Sequence, residues 1–345
     1  MDVADYDYEL PEARIAQVPV EPRHAARLLV DDGAEAPVRH RRVVDLADLV
    51  GPGDLVVVND TRVIPARLHL RRATGAAVEL LLLEELGGRS WEALVRPSRR
   101  IRPGEELHVG EADGTVGPPI VRVGEAMGEG RWSITFGGDE PVDVVLGRFG
   151  EVPLPPYISA PLADAERYQT VYARRPGSVA APTAGLHLTP TVLDGLARRG
   201  VEVGSVELVV GLGTFRPITA DRVEDHRMHA ERYVVPDDVQ AAIARTRARG
   251  GQVVAIGTTV VRALESWATT GEASGRTELF IHGDHEFRVV DRLLTNFHVP
   301  RSSLLVLLGA FVGSRWRSMY AEALEHGYRF LSFGDAMLVH RAHRR

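Results

Sequence analysis

The chain has 345 residues, enough for two domains or for one large domain carrying an insertion. Its 44% hydrophobic and 26% charged residues are ordinary for a globular protein, and a formal charge of −6, from 41 basic and 47 acidic residues, excludes a global positive field for nucleic acid. It has no cysteine and no lysine, which excludes disulfides, thiolate nucleophiles, cysteine-held metal centres, Schiff-base chemistry and a P-loop lysine. Acid–base work therefore falls to the 13 histidines, the 8 tyrosines or the carboxylates.

The start, MDVADYDYELPEARI, is acidic and broken by Pro11, unlike the basic and then apolar start of a signal peptide. No apolar run approaches the roughly 20 residues that span a bilayer, so a cytoplasmic protein with no membrane partner is expected. The longest runs, AVELLLLEEL and SSLLVLLGAFV, read as buried elements. Gly51-Pro52-Gly53 is a turn, and LVVV (55–58) after it reads as a short buried strand. From there to about residue 150, VIPARLHLRR, AAVELLLLEEL, SWEALVRP, EELHVG, PPIVRVG and RWSITF read as short strands between glycine- and proline-rich turns. With no helical periodicity among them, they predict a small barrel or sandwich.

After the proline-rich EVPLPPYI, helices return. Thr189 is placed to cap a helix with Pro190 at its first position and Gly200 at its end. Pro236 opens a second helix that stops at Gly250-Gly251, and QVVAIG reads as a strand feeding the helix TTVVRALESWA. The expected fold is α/β: a largely parallel sheet covered by helices, with an inserted small β-barrel. The expected segments are 1–62 and 151–345 for the α/β domain and 63–150 for the barrel.

Four polar clusters carry candidate chemistry. Asp60 and Arg62 follow the LVVV strand, where crevices of α/β sheets form; an Asx-turn beside a surface arginine explains them equally well. In AAPTAGLHLT, His187 lies near a helix amino terminus, which favours its neutral form, and the competing reading is a loop histidine. In EDHRMHAE, Asp225, His226 and His229 suit general acid–base work, since a carboxylate beside an imidazole raises its basicity and fixes its tautomer. A metal-dependent hydrolase using His187, His226 and His229 with Asp225 is the alternative, weakened because His226 and His229 are three apart rather than four. In GTTVVRALES, Thr258, Arg262 and Glu265 share a helix face, with the helix start and Arg262 open to an anion or Arg262 and Glu265 merely paired. Asn296-Phe297-His298 adds a polar turn before Pro300. Local arginine patches, RHRR (39–42), RPSRRIR (96–102) and Arg315-Trp316-Arg317, are placed either to contact phosphates or to face solvent.

Taken in order, YDYELPEARIAQVPVEPRHAARLLV, GDLVVVNDTRVIPARL, LVRPSRRIRPGEEL, ERYQTVYARRPGSVAAPTAGLH, VGLGTFRP, EDHRMHAE, GTTVVRALE, LLTNFHVPRSSLL and FGDAML resemble the S-adenosylmethionine:tRNA ribosyltransferase-isomerase family of queuosine biosynthesis over nearly the whole chain. The resemblance implies an α/β domain with an inserted barrel. It also implies transfer and isomerisation of the ribosyl part of S-adenosylmethionine onto 7-aminomethyl-7-deazaguanine at the tRNA wobble position, giving epoxyqueuosine, adenine and methionine. The partners would be that tRNA and S-adenosylmethionine as co-substrate, with no other cofactor, no metal and a monomeric enzyme. On this reading His187, Asp225, His226 and His229 are the catalytic candidates, with His187 or His229 the base. Asp60, Arg62, Thr183, Gly185, Arg216, Thr258, Thr259, Arg262, Glu265, Asn296 and His298 are the substrate-binding candidates. The chain departs from the family pattern at Leu188, where phenylalanine is usual, at Val260, where serine is usual, and through FIHGDHEF (280–287). Val260 argues against a hydroxyl nucleophile there, and the altered 280–287 turn weakens any role for His282 or His285.

Overall fold

The structure, a computed structural model, describes residues 1–33, 36–110, 115–211 and 217–342. The chain divides into two units: Met1–Arg62, Pro155–Arg175 and Ala181–Arg345 form one, and Val63–Leu154 with Pro176–Ala180 form the other.

The first unit is built on a nine-stranded sheet. Its strands lie in the order Ser274–Thr277, Glu231–Val234, Glu202–Leu208, Leu55–Asn59, Val253–Ile256, Arg292–Asn296, Ala336–His340, Arg27–Asp31 and Arg39–Arg42. The four strands from Glu202–Leu208 to Arg292–Asn296 are mutually parallel, as the strand–helix alternation predicts. Antiparallel pairs extend the sheet on both sides, with one further parallel pair between Ala336–His340 and Arg27–Asp31, so the whole is mixed. Leu55, Val56, Val57 and Val58 are all buried, because a central parallel strand has helices or loops over both faces. One core is formed by Val56 and Val58 with Leu28, Val30, Ile256, Leu294 and Leu338 from the sheet and Leu188, Val192 and Leu196 from the helix Pro190–Arg198. The run SSLLVLLGAFV forms the buried helix Ser303–Val312; no helix among the described residues is long and apolar enough to cross a membrane.

Thr189 precedes the helix as expected but makes no side-chain cap; its hydroxyl lies 2.7 Å from His24 Nδ1. Gly185 is required by a close approach, since a Cβ there would stand 2.1 Å from the Tyr172 hydroxyl. It is a packing glycine, and it is not among the residues that line the cleft described below.

The second unit is a closed antiparallel barrel. Strands Arg67–Arg72, Ala77–Gly87, Ser90–Arg96, Arg131–Phe136, Val116–Gly128 and Glu106–Gly110 pair in that order, and the first and last pair with each other. The alternation is plain in Ser90–Arg96, where Trp91, Ala93 and Val95 point inward. The absence of helix expected in this block does not hold: Val142–Phe149 is an α-helix after Pro141. Residues 151–154 and 176–180 also cluster here rather than with the α/β unit. Glu151 pairs with Arg67, and the Ser178 carbonyl accepts from Ile64 N–H at 3.0 Å.

The helix Thr258–Thr270 is pinned by Glu265. Its carboxylate accepts backbone N–H groups from Arg288 at 2.7 Å and from Val289 and Val290 at 3.0 Å each, in a site with no solvent exposure. Glu265 is therefore a fixed part of the scaffold and not, as expected, a group that faces substrate. Removing it leaves two buried donors and one part-buried donor unpaired, each buried one costing about 1–3 kcal/mol. Glu265→Ala should lower unfolding free energy by roughly 3 kcal/mol or more, measured by urea denaturation; a loss under about 1 kcal/mol would show that those amides find other partners.

Candidate active site

A cleft of about 610 Å³ opens in the first unit at the carboxyl ends of its parallel strands. Its walls come from Val210 beyond the strand Glu202–Leu208, Gly257–Thr259 beyond Val253–Ile256, and Thr295–Val299 at the end of Arg292–Asn296, together with Ala181–Ala184, Leu331 and Ser332. Crevices outside the carboxyl ends of such strands are the usual ligand position in α/β sheets.

The turn from strand to helix there needs Gly257, whose φ of 98° a side chain would strain. It brings the first turn of Thr258–Thr270 to the cleft, and the backbone N–H groups of Thr258 and Thr259 make no hydrogen bond within the described residues. The Thr259 hydroxyl, in a side chain that is 9% exposed, also has no partner. The remaining polar lining is hydroxyl and amide: Thr183, Thr295, Asn296, Ser302, Ser332 and Tyr157. Tyr157 Oη lies 2.7 Å from Ser332 Oγ, and burial pushes its pKa up to about 12. Among the described residues no carboxylate, arginine or lysine lines this cleft.

Two imidazoles belong to this region. His298 is on the wall, its Nε2 3.0 Å from Thr295 Oγ1, and burial pushes its pKa down to about 3. Its backbone is held from both sides: its N–H donates to Tyr320 Oη at 2.8 Å and its carbonyl accepts from Tyr8 Oη at 2.6 Å. His187 lies behind the wall. Asn296 Nδ2 donates to His187 Nε2 at 3.1 Å, while Thr183 Oγ1 donates to Asn296 Oδ1 at 3.0 Å. Burial, with Arg329 nearby, lowers the His187 pKa to about 4, against a backbone hydrogen bond to Arg23 that raises it. With Nε2 accepting from Asn296, His187 supports the wall of the cleft from behind and does not itself line it.

Of the expected residues, Thr183, Thr258, Thr259, Asn296 and His298 are thus brought together, and His187 stands one hydrogen bond behind them. Others are not. Arg262 is buried and spent inside the protein: it pairs with Glu231 and donates to the carbonyls of Leu279 at 3.2 Å and Thr277 at 3.4 Å. Arg262 is therefore not open to an anion and does not pair with Glu265, which leaves the helix start alone of that expected cluster facing the cleft. Asp60 is buried under Arg174, at 2.8 Å, and Arg175, at 3.3 Å, and Arg62 pairs with Glu166. Asp225 is exposed at the end of the turn Val223–Asp225, followed by His226 against the Phe280 ring and an exposed His229. Their segment is tied to the amino terminus, through Val223 N–H to the Met1 carbonyl at 3.0 Å, and does not line the cleft. Arg216 lies outside the described residues. Nor do His187, His226 and His229 converge as metal ligands; among the described residues the histidine–carboxylate trio that does is His40, Glu322 and His326. The hydrolase alternative is therefore not favoured. Sequence reading missed Tyr157, Thr295, Ser302 and Ser332. The signal for Thr295 was its place at the end of a buried strand, and for Ser302 its place as the cap of the following apolar helix.

A family model described as queuosine biosynthesis protein matches residues 3–339. Proteins named S-adenosylmethionine:tRNA ribosyltransferase-isomerase are similar to this chain throughout. That of Heliobacterium modesticaldum is 49% identical over 98% of this chain and 100% of its own. That of Rubrobacter xylanophilus is 51% identical over 98% of each. The crystal structure of S-adenosylmethionine tRNA ribosyltransferase from Thermotoga maritima matches with a TM-score of 0.56 and 36% identity, over 97% of this chain and 99% of that one.

The buried neutral histidines make stability depend on pH. His187 and His298 bind protons less readily folded than unfolded, so their contribution is complete above the unfolded value near 6.5 and is lost as pH falls toward about 4 and about 3. Unfolding free energy should drop by roughly 1.4 kcal/mol per pH unit for each histidine below about pH 6. Denaturant titrations of the wild type and of His187→Gln/His298→Gln read this; equal slopes in both would show that other groups carry the dependence.

Proposed function

This chain belongs to the queuosine biosynthesis protein family, and we propose that its cleft is where S-adenosylmethionine binds. The enzyme is an S-adenosylmethionine:tRNA ribosyltransferase-isomerase. It moves the ribosyl group of S-adenosylmethionine onto 7-aminomethyl-7-deazaguanine at the wobble position of tRNA and rearranges it, giving epoxyqueuosine, adenine and methionine. It works as a cytoplasmic monomer on this reading. The observation that carries the cleft assignment is the bare start of Thr258–Thr270. The N–H groups of Thr258 and Thr259 and the Thr259 hydroxyl have no partner among the described residues, and both residues line a cleft whose described lining carries no formal charge. A helix start of this kind holds a carboxylate, here that of the methionyl part. The neutral hydroxyl and imidazole lining admits the sulfonium without repulsion.

A sulfonium acidifies the C–H bonds beside it, so a neutral base suffices to remove a 5′ proton. His298 is the imidazole on the wall and takes that role. His187 positions rather than reacts: it holds the Asn296 amide, and through it Thr183, at the edge of the cleft. Opening of the ribose expels adenine, and attack by the substrate amine with closure of the epoxide releases methionine. No step calls on a metal.

The direct test is adenine release from S-adenosylmethionine in the presence of tRNA carrying the aminomethyl-deazaguanine base; no release with that tRNA would sink the reading. His298→Ala should lower kcat by about 10²–10⁴-fold. Thr259→Val should raise KM for S-adenosylmethionine roughly tenfold, the worth of a hydrogen bond to a charged group. If His229→Ala abolishes turnover while His298→Ala leaves it intact, the base lies in the Asp225–His229 segment instead. Turnover should also survive exhaustive chelation; a loss restored by one metal ion alone would reinstate a metal-dependent reaction.

A further inference from the structure

The barrel carries a basic surface that the cleft does not use. After the strand Ser90–Arg96 the chain makes a short 3-10 turn, Ser98–Arg100, and runs through Arg102 to Gly104 before the strand Glu106–Gly110 begins. Arg96, Arg99, Arg100 and Arg102 are all exposed, and none of their guanidinium groups makes a hydrogen bond or ion pair within the described residues. Exposed Arg122, on the outer face of Val116–Gly128, brings a fifth guanidinium to the same place: its Nη2 lies 3.9 Å from where a Cβ on Gly104 would stand. Other arginines, such as Arg72, Arg131, Arg174, Arg232, Arg245 and Arg315, are paired with carboxylates.

The turn is also held firmly. Ile101 is buried and its N–H returns to the Ser98 carbonyl at 3.2 Å. Gly104 N–H donates to the Val123 carbonyl at 2.8 Å. The nearest carboxylate in sequence, Glu105, pairs with Arg72 and accepts from Arg102 N–H at 3.1 Å, so it does not neutralise the patch. Glu79 and Glu106 stand opposite Arg96 and Arg122 in the strand register without forming ion pairs. Five unpaired guanidiniums on an ordered turn, with their side chains free to reach outward, match a run of backbone phosphates. On a chain of net charge −6 such a patch concentrates positive potential where the chain as a whole supplies none.

We propose that this face of the barrel binds the phosphate backbone of RNA, the tRNA substrate on the reading above, with Arg99 and Arg100 at its centre. The inference rests on that reading for the identity of the RNA, but its test is separate. The full-length protein is titrated with an RNA stem-loop bearing the aminomethyl-deazaguanine base at several salt concentrations. Each phosphate contact contributes about 0.7–0.9 to the slope of log K against log salt. Arg99→Ala/Arg100→Ala should make that slope shallower by roughly 1.4–1.8, so the affinity lost between 50 and 200 mM salt shrinks by roughly tenfold. Arg99→Lys/Arg100→Lys keeps both charges and should restore most of the slope. An alanine variant that binds with the wild-type slope overturns the proposal, as does a lysine variant that binds no better than the alanine one. A wild-type protein that binds the stem-loop with a steep slope lost in the alanine variant, yet releases no adenine, upholds the RNA face and overturns the transferase reading alone.

Discussion

The cleft depends on the orientation of one amide, that of Asn296. An amide has one acceptor and one donor end, and here both ends are committed. Oδ1 accepts from Thr183, and Nδ2 donates to His187 and to the Asp335 carbonyl, the latter at 3.5 Å. These contacts join the end of the strand Arg292–Asn296 to the turn Thr183–His187 and to the residue before the strand Ala336–His340. Rotating the amide would leave buried polar atoms facing like atoms, so the arrangement has one low-energy setting. The neutral state of His187 belongs to the same constraint. Only an unprotonated Nε2 accepts from the amide, and burial holds the ring in that state.

Charge is distributed in a consistent way. Within the α/β unit, buried charges are matched by partners: Arg262 by Glu231, Asp60 by Arg174 and Arg175, Asp31 by Arg315, and Glu265 by three backbone N–H groups. A buried ion left alone costs several kcal/mol, so these sites are scaffold by necessity. The described lining of the cleft, by contrast, holds apolar side chains, neutral polar groups and a helix start, without a charged side chain. That division suits a co-substrate that is itself a zwitterion with a third charge on sulfur.

Features governed by neighbours in sequence were legible, and those governed by distant partners were not. The buried strand at 55–58 and the helix start after Gly257 follow from local pattern. The helix Val142–Phe149 escaped because VDVVLGRF is rich in β-branched residues and sits among strands. Thr258, Arg262 and Glu265 do lie on one helix, but no spacing rule reveals that Glu231 and the amides at 288–290 come to meet Arg262 and Glu265. The histidines show the same limit. His187 and His298 are each preceded by an apolar residue and look alike in sequence, and only the Asn296 contact separates the one behind the wall from the one on it. The motifs identified the family because they cover the whole chain in order; they did not rank the residues within them.

The strand Ala336–His340 lies between Arg292–Asn296 and Arg27–Asp31, and the hairpin of Arg27–Asp31 and Arg39–Arg42 joins the sheet through it alone. During synthesis this hairpin emerges early, with an apolar strand edge and nothing to pair with until nearly the whole chain has been made. The barrel's strands, by contrast, pair among nearby residues. Assembly is therefore out of step with translation: the middle of the chain folds on local contacts while its beginning waits for its end. Until then the strand Arg27–Asp31 keeps an unpaired edge, the kind of edge that other chains can join.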